Sequence, residues 1–235
     1  MGLGWVQASK DIGLSRGDLF LQTKFTSISG QDKLNIPYDI NASLEDQVKQ
    51  SLEKSLENLQ TSYIDRLVLH SPMNTYEDTM LVWRIFESFV NAGKVRSLGI
   101  SNCYDLRLFE RIYNAAKVKP TALQNRFYEK SHFDVQLRQF CLINKIQYQS
   151  FWTLTANRNA LKKQEVLDLA KRKNLTPQTL MYAYMMSMGH TPLSGTTDST
   201  HMKMDVALMK RMRTGEEILT TDELYHMSRH IGIIS

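Results

Sequence analysis

Two side chains capable of acid–base chemistry stand at the ends of short apolar runs. Lys24 closes Leu19-Phe20-Leu21-Gln22-Thr23-Lys24 and His70 closes Ile64-Asp65-Arg66-Leu67-Val68-Leu69-His70. Histidine titrates near neutral pH and serves as a general acid or base. A lysine whose pKa is lowered by burial acts as a base or forms a Schiff base with a carbonyl. Further along, polar residues follow apolar runs in the same way: Ser101-Asn102, Gln124-Asn125, Ser150 and Gly195-Thr196. Hydroxyl and amide side chains of this kind supply directional donors and acceptors. Each also has a plainer reading. Lys24 alone reads as a solvent-facing strand-end lysine and His70 as a structural histidine, while Ser101-Asn102 would cap a helix and Gln124-Asn125 a strand.

The elements that would position these residues follow from periodicity and turn chemistry. Leu19 to Phe25, after the turn signal Ser15-Arg16-Gly17-Asp18, predicts a first strand, and the polar stretch Thr26 to Asn41, with Gly30 and Pro37, a long loop. Leu44, Val48, Leu52, Leu56 and Leu59 recur at spacings of four and three, which makes one helical face. Strands are then expected at Ile64 to Leu69, Val95 to Ile100, Ala122 to Gln124, Ile146 to Phe151 and Thr191 to Ser194. Helices are expected near Glu77 to Asn91, Asp105 to Ala116, Asp134 to Ile143, Gln164 to Lys173, Pro177 to Ser187 and Thr200 to Met212, with Thr176-Pro177 as N-cap and N1 proline. Met181, Met185, Met186 and Met188 read as core filler.

Six strand-like runs alternating with helices require parallel strands and right-handed crossovers, as in a doubly wound sheet or a TIM-type barrel. No GxGxxG opens a helix after the first strand, so the dinucleotide fingerprint of the doubly wound fold is absent. The polar residues all follow strands, and in a barrel those ends form one mouth, the usual place for an active site. The expectation is an α/β chain, 1–235, forming a single TIM-type (β/α) barrel domain, incomplete at about six of eight β/α units.

Composition narrows the function classes. With 42% hydrophobic and 23% charged residues the profile is that of a globular protein. The formal net charge of +5 is scattered along the chain without aromatic interleaving, which argues against nucleic acid and suits a phosphate-bearing cofactor equally well. Cys103 and Cys141 have no spacing suited to zinc, so no metal is expected. No window reaches the ~20 apolar residues of a membrane span and Met1 to Ile12 does not read as a leader, which makes the cytoplasm the expected address.

Four segments in one order resemble a known family: Asp18-Leu19-Phe20-Leu21-Gln22-Thr23-Lys24, Ile64-Asp65-Arg66-Leu67-Val68-Leu69-His70, Leu98-Gly99-Ile100-Ser101-Asn102 and Leu123-Gln124-Asn125-Arg126. Together they look like the aldo-keto reductase superfamily over nearly the whole chain. The resemblance implies that Lys24 and His70 stand where that family places the lysine and histidine of its catalytic tetrad. It implies that Ser101, Asn102 and Gln124 stand where the family holds a nicotinamide carboxamide, with Ser150, Phe151, Gly195, Thr196 and His201 as further cofactor-binding positions and Trp152 toward the substrate. Gln149 occupies the stacking position, for which Phe151 or Trp152 would substitute. The phosphate-gripping segment Leu193 to Asp198 carries no basic side chain, and His201 stands where an arginine is common. NADP(H) is the implied cofactor, with NAD(H) equally open on this segment.

The same resemblance places the tetrad's tyrosine and aspartate in two β/α units upstream of Lys24, where this sequence offers Asp11 and Asp18 and no tyrosine. A barrel begun this late has open strand edges. Met1 to Ile12, the Thr26 to Asn41 loop, the tail Leu224 to Ser235 or a second copy in a homodimer would cover the gap. Three functions compete. One is an NAD(P)H-dependent reductase of a small carbonyl compound, with an incomplete tetrad and His70 or a tyrosine of the Tyr38 loop as proton donor. Another is a non-redox isomerase, cyclase or lyase reusing Lys24 and His70. The third is a non-catalytic binding or regulatory subunit.

Overall fold

In the computed structural model, which describes residues 1–234, helices and strands alternate along the chain. They are α1 (Gly2–Ile12), β1 (Gln22–Phe25), α2 (Leu44–Leu59), β2 (Ile64–Leu69), α3 (Tyr76–Asn91), β3 (Val95–Ser101), α4 (Leu106–Ala115), β4 (Pro120–Arg126) and α5 (Val135–Ile143). There follow β5 (Gln147–Phe151), α6 (Arg158–Leu161), α7 (Gln164–Arg172), α8 (Pro177–Ser187), β6 (Thr191–Pro192), α9 (Ser199–Arg213) and α10 (Thr221–Ile231). The strands form a six-stranded sheet in chain order. Pairing is parallel, with Lys24 opposite Val68 and Phe25 opposite Leu69 between β1 and β2, and Val68 opposite Gly99 between β2 and β3. A parallel sheet with helical crossovers is the expected α/β layout, six strands of a (β/α) barrel. By internal packing the chain divides into two units, Met1–Leu123 and Gln124–Ser235.

The first unit is organised by buried strand β2 and aromatic packing. All six residues of β2 are buried, and Trp83 and Phe86 of α3 have no exposed surface. Phe25 meets Phe86 edge-on at 6.4 Å, and Trp83 Nε1 donates to the Val118 carbonyl at 3.1 Å. Helix starts are held by side chains that the backbone requires there. Ser43 Oγ accepts from Asp46 N, Thr75 Oγ1 from Asp78 N, and Asp105 Oδ1 from Arg107 N and Leu108 N.

Two expectations about this unit need correction. The first strand begins at Gln22 rather than Leu19, because Arg16–Asp18 forms a 3-10 turn whose arginine holds the Leu19 carbonyl at 2.9 Å. The Leu21 amide is taken by the Asp65 carboxylate at 2.8 Å, so these residues are spent before the ladder starts. The long loop is not structureless. It contains a 3-10 turn at Ile28–Gly30 and folds back so that Tyr38 is buried, its hydroxyl donating to the Thr26 carbonyl at 2.7 Å.

The Met1 to Ile12 segment contains α1 (Gly2–Ile12), which lies on α2. A Cβ on Gly2 would stand 2.2 Å from the Asn58 carbonyl oxygen, and Trp5 Nε1 donates to the Leu59 carbonyl at 2.6 Å. Gly2→Ala is therefore expected to lift the start of α1 off α2. Hydrogen exchange should then quicken across residues 2–12 while α3 and β2 keep their protection; unchanged exchange in α1 would show that the contact relaxes freely.

The second unit packs α7, α8 and α10 together. Helix α8 is buried nearly all round, with Leu180, Met181, Ala183, Tyr184 and Met185 inaccessible, and Thr176 caps it through the Thr179 amide ahead of Pro177 at its first turn. Residues expected as a tail form α10 instead. Thr220 and Glu223 close a capping box there, and Tyr184 OH and Ser228 Oγ meet at 2.8 Å. The last strand is shorter than expected and ends at Pro192, and α6 occupies a stretch read without structure. No helix among the described residues is long and apolar enough to cross a membrane.

Candidate active site

Strand register sets the first half of the site. Because β1 and β2 are parallel neighbours, Lys24 and His70 emerge near the C-terminal ends of adjoining strands, and His70 N closes the ladder on the Phe25 carbonyl at 2.9 Å. Both side chains are half-buried. Burial lowers the Lys24 pKa from its usual 10.5. Burial, and after it the positive charge of Lys24, lowers that of His70 from 6.5. The two are close enough to feel each other's charge, and burial favours the neutral form of each.

The His70 ring is oriented by Thr26, whose Oγ1 lies 2.8 Å from Nδ1. A threonine hydroxyl both donates and accepts, so it holds the ring whether the imidazole is neutral or charged, leaving Nε2 for a ligand. His70 also lines a cavity of about 700 Å³. Its walls carry the hydroxyls of Thr26, Ser27, Ser29 and Ser71, and the apolar side chains of Ile28 and Met73. Tyr38, expected as an alternative proton donor, is placed differently. Burial raises its pKa and its hydroxyl is engaged with the Thr26 carbonyl, so it supports the loop that holds His70.

Ser101 is fully buried at the end of β3. Asn102 follows it in a left-handed conformation, φ 51°, and donates through Nδ2 to the His70 carbonyl at 2.8 Å. Its Oδ1 accepts from Tyr104 OH at 3.2 Å. Asn102 thus braces the backbone of His70, and the helix cap expected at Ser101-Asn102 comes from Asp105.

The second unit gathers another set of the expected residues. Phe151, Trp152, Gly195, Thr196 and His201 line one cavity of about 1080 Å³. Trp152 takes φ 55° and Arg126 lies over its ring at 4.0 Å, a cation–π arrangement that steadies an exposed indole. Ser150 is turned inward: its Oγ accepts from Thr153 at 2.8 Å and its carbonyl from Leu193 N at 2.9 Å. Gln124 is buried and donates to Gln149 Oε1 at 2.8 Å. Asn125 donates to the Asp134 carboxylate at 2.7 Å, which also accepts from Tyr148 OH.

Among the lining residues absent from the expected site are Arg158, Tyr182 and Asp205. Tyr182 lies in a helix that reads as core throughout, and Arg158 in a stretch without periodicity. The clue for Asp205 was its place on α9 four residues after His201, one helical turn further on. What the cavity can do chemically is clear from its donors: aromatic rings to stack on, hydroxyls to bond, one guanidinium to meet an anion. That set fits a nucleotide.

Comparison with known proteins follows the same lines. The profile of the Aldo/keto reductase family matches residues 7–156. An uncharacterized oxidoreductase of Schizosaccharomyces pombe is 24% identical over 193 residues, 82% of this chain and 62% of that protein. Glyoxal reductase of Bacillus subtilis is 28% identical over 166 residues, 70% of this chain and 53% of its own length. The chain thus spans less than two thirds of either relative. Among solved structures, an aldo-keto reductase of the silkworm Bombyx mori in complex with NADPH superposes with a TM-score of 0.76 at 17% identity, covering 98% of this chain and 69% of that one.

Proposed function

The chain belongs to the aldo/keto reductase family, and from that premise we propose that it is a nicotinamide-dependent oxidoreductase reducing a small carbonyl compound. The observation that carries the reading is the Lys24–His70 pair: two ionisable groups on adjoining strand ends, both with lowered pKa, one of them lining a cavity. The nucleotide-suited cavity of the second unit and the NADPH complex of the silkworm relative support a nicotinamide cofactor.

Bound in reduced form, that cofactor supplies a hydride to the carbonyl carbon. The residues of this chain manage the oxygen. Protonated His70 gives its Nε2 proton to the developing alkoxide and becomes neutral, with Thr26 Oγ1 accepting from Nδ1–H before the transfer. The lysine charge opposes protonation of His70, which makes the imidazolium a stronger acid, and it stabilises negative charge on the substrate oxygen. The Tyr38 hydroxyl is engaged with the Thr26 carbonyl, and in this reading His70 is the donor.

Titration with NADH and NADPH, followed by nicotinamide fluorescence, tests the cofactor part. Lys24→Met tests the site: kcat/KM toward small aldehydes should drop on the order of a hundredfold, with cofactor affinity little changed. Full activity in this variant and in one lacking the His70 imidazole would show that the site is misassigned. The lowered Lys24 pKa favours one further reading, a non-redox isomerase or lyase working through a lysine Schiff base. Borohydride trapping of a carbonyl compound on Lys24 without any cofactor requirement would establish that reading instead.

A further inference from the structure

A buried guanidinium and a buried imidazole meet in the second unit. Arg138 of α5 and His190, which joins α8 to β6, are 5% and 4% exposed, and Arg138 Nη1 lies 3.1 Å from His190 Nε2. A guanidinium has donors and no acceptor, so this bond exists only while the imidazole is neutral, with Nε2 accepting and the proton on Nδ1. Nδ1 itself has no partner among the described residues. Protonating the ring ends the bond and sets two cations side by side, away from water.

The ionisable groups around the pair offer such a proton little compensation. Tyr148 of β5 meets the His190 ring edge-on at 5.3 Å and donates its hydroxyl to Asp134 at 2.9 Å. Tyr184 of α8 is engaged with Ser228 of α10. Asp134, just ahead of α5, is a nearby carboxylate, but burial raises its pKa, so it surrenders its charge early as pH falls. Burial, and after it the Arg138 charge, lowers the His190 pKa from 6.5 to about 4. With the folded value below the unfolded one, the contribution of the neutral ring is complete above 6.5 and is lost as pH falls toward the folded value.

The repulsion acts on a weakly held strand. His190 N bonds the Met185 carbonyl at 3.0 Å at the end of α8, and β6 directly follows. That strand has two residues, Thr191–Pro192, at the end of the sheet, paired with Gln149 and Ser150 of β5. Leu193, Ser194, Gly195 and Thr196 come next and line the larger cavity.

We propose that the Arg138–His190 pair is an acid-sensitive latch: a proton taken up by His190 frees β6 from its place beside β5 and opens the wall of the larger cavity. The latch rests on packing within the second unit and not on what the cavity binds. Hydrogen exchange tests it, with rates corrected for the intrinsic effect of pH, on the wild-type chain and on His190→Gln, whose amide still accepts from Arg138 but does not titrate. Asp134 is common to both chains, so their difference isolates the imidazole.

In the wild type, protection across residues 190–197 should fall about twentyfold between about pH 7 and about pH 5, while β2 keeps its protection. In His190→Gln the change should be less than about twofold. An NMR titration of the wild-type His190 ring needs no substitution and decides the matter if the variant does not fold: at about pH 6 the ring should be neutral, with its proton on Nδ1. Unchanged protection at the lower pH, an equal fall in both chains, a loss spread evenly over the whole chain, or a ring already charged at about pH 6 would each overturn the proposal.

Discussion

His70→Gln is expected to lower kcat/KM for carbonyl reduction by about two to four orders of magnitude while nicotinamide binding persists. The glutamine amide reaches Thr26 and preserves the local fold, but it carries no proton that leaves near neutral pH. The wild-type pH profile supplies a second readout. Burial and the Lys24 charge lower the His70 pKa from 6.5, so activity should decline as pH rises through that depressed value. Lys24→Met removes one of the two causes, and the midpoint should move upward. A profile flat between about pH 5 and 8 would exclude His70 as the acid.

The same shift bears on stability. With the folded pKa below the unfolded one, the unfolded chain binds more protons in the interval between them. His70 therefore contributes stability that is complete above the unfolded value and is lost as pH falls through the folded one. His70→Gln should flatten that part of the stability curve.

Asp65→Ala is expected to destabilise the first unit by about 3 kcal/mol or more, read by urea unfolding at neutral pH. The Asp65 carboxylate is 4% exposed and serves three donors: Arg16 at 2.7 Å and the Leu21 amide at 2.8 Å through Oδ2, and Arg96 at 3.2 Å through Oδ1. Arg16 and Arg96 also lie over the Tyr63 ring, at 4.0 and 4.1 Å. Alanine leaves the buried Leu21 amide without its acceptor and the half-buried Arg16 guanidinium without its counter-charge, and loses the bond that ends the Arg16 turn and admits β1. Asp65→Asn, which keeps an acceptor for Leu21, should cost less. Equal losses from the two substitutions would show that charge alone matters.

Burial raises the Asp65 pKa, but the Leu21 amide and the two arginines outweigh it, and the net shift is downward from 3.8. Its contribution is accordingly present above the unfolded value and lost as pH falls through the depressed folded one. Asp65→Asn should show a shallower acid limb.

Part of the candidate site was legible along the chain. Lys24 and His70 each follow an apolar run of strand length, and strands joined by amphipathic helices must lie parallel, so their emergence at one end of adjoining strands follows from local pattern and chain topology. The cap at Thr176 was equally local, since a helix start needs acceptors within three residues. The Thr220–Glu223 capping box is as local, and it opens α10 where a tail from Leu224 was expected.

Sequence by itself determined the alternation of strands and helices, which depends on neighbours a few positions apart, and with it the parallel pairing. Only the tertiary structure decided what those residues face. Ser150 turns toward Thr153, Asn102 onto the His70 carbonyl and Tyr38 into the core. Arg158, Tyr182 and Asp205, dozens of positions apart in part, meet at one cavity. Such contacts depend on how distant segments pack and on which polar atoms burial forces to find partners, and no short stretch of sequence encodes them.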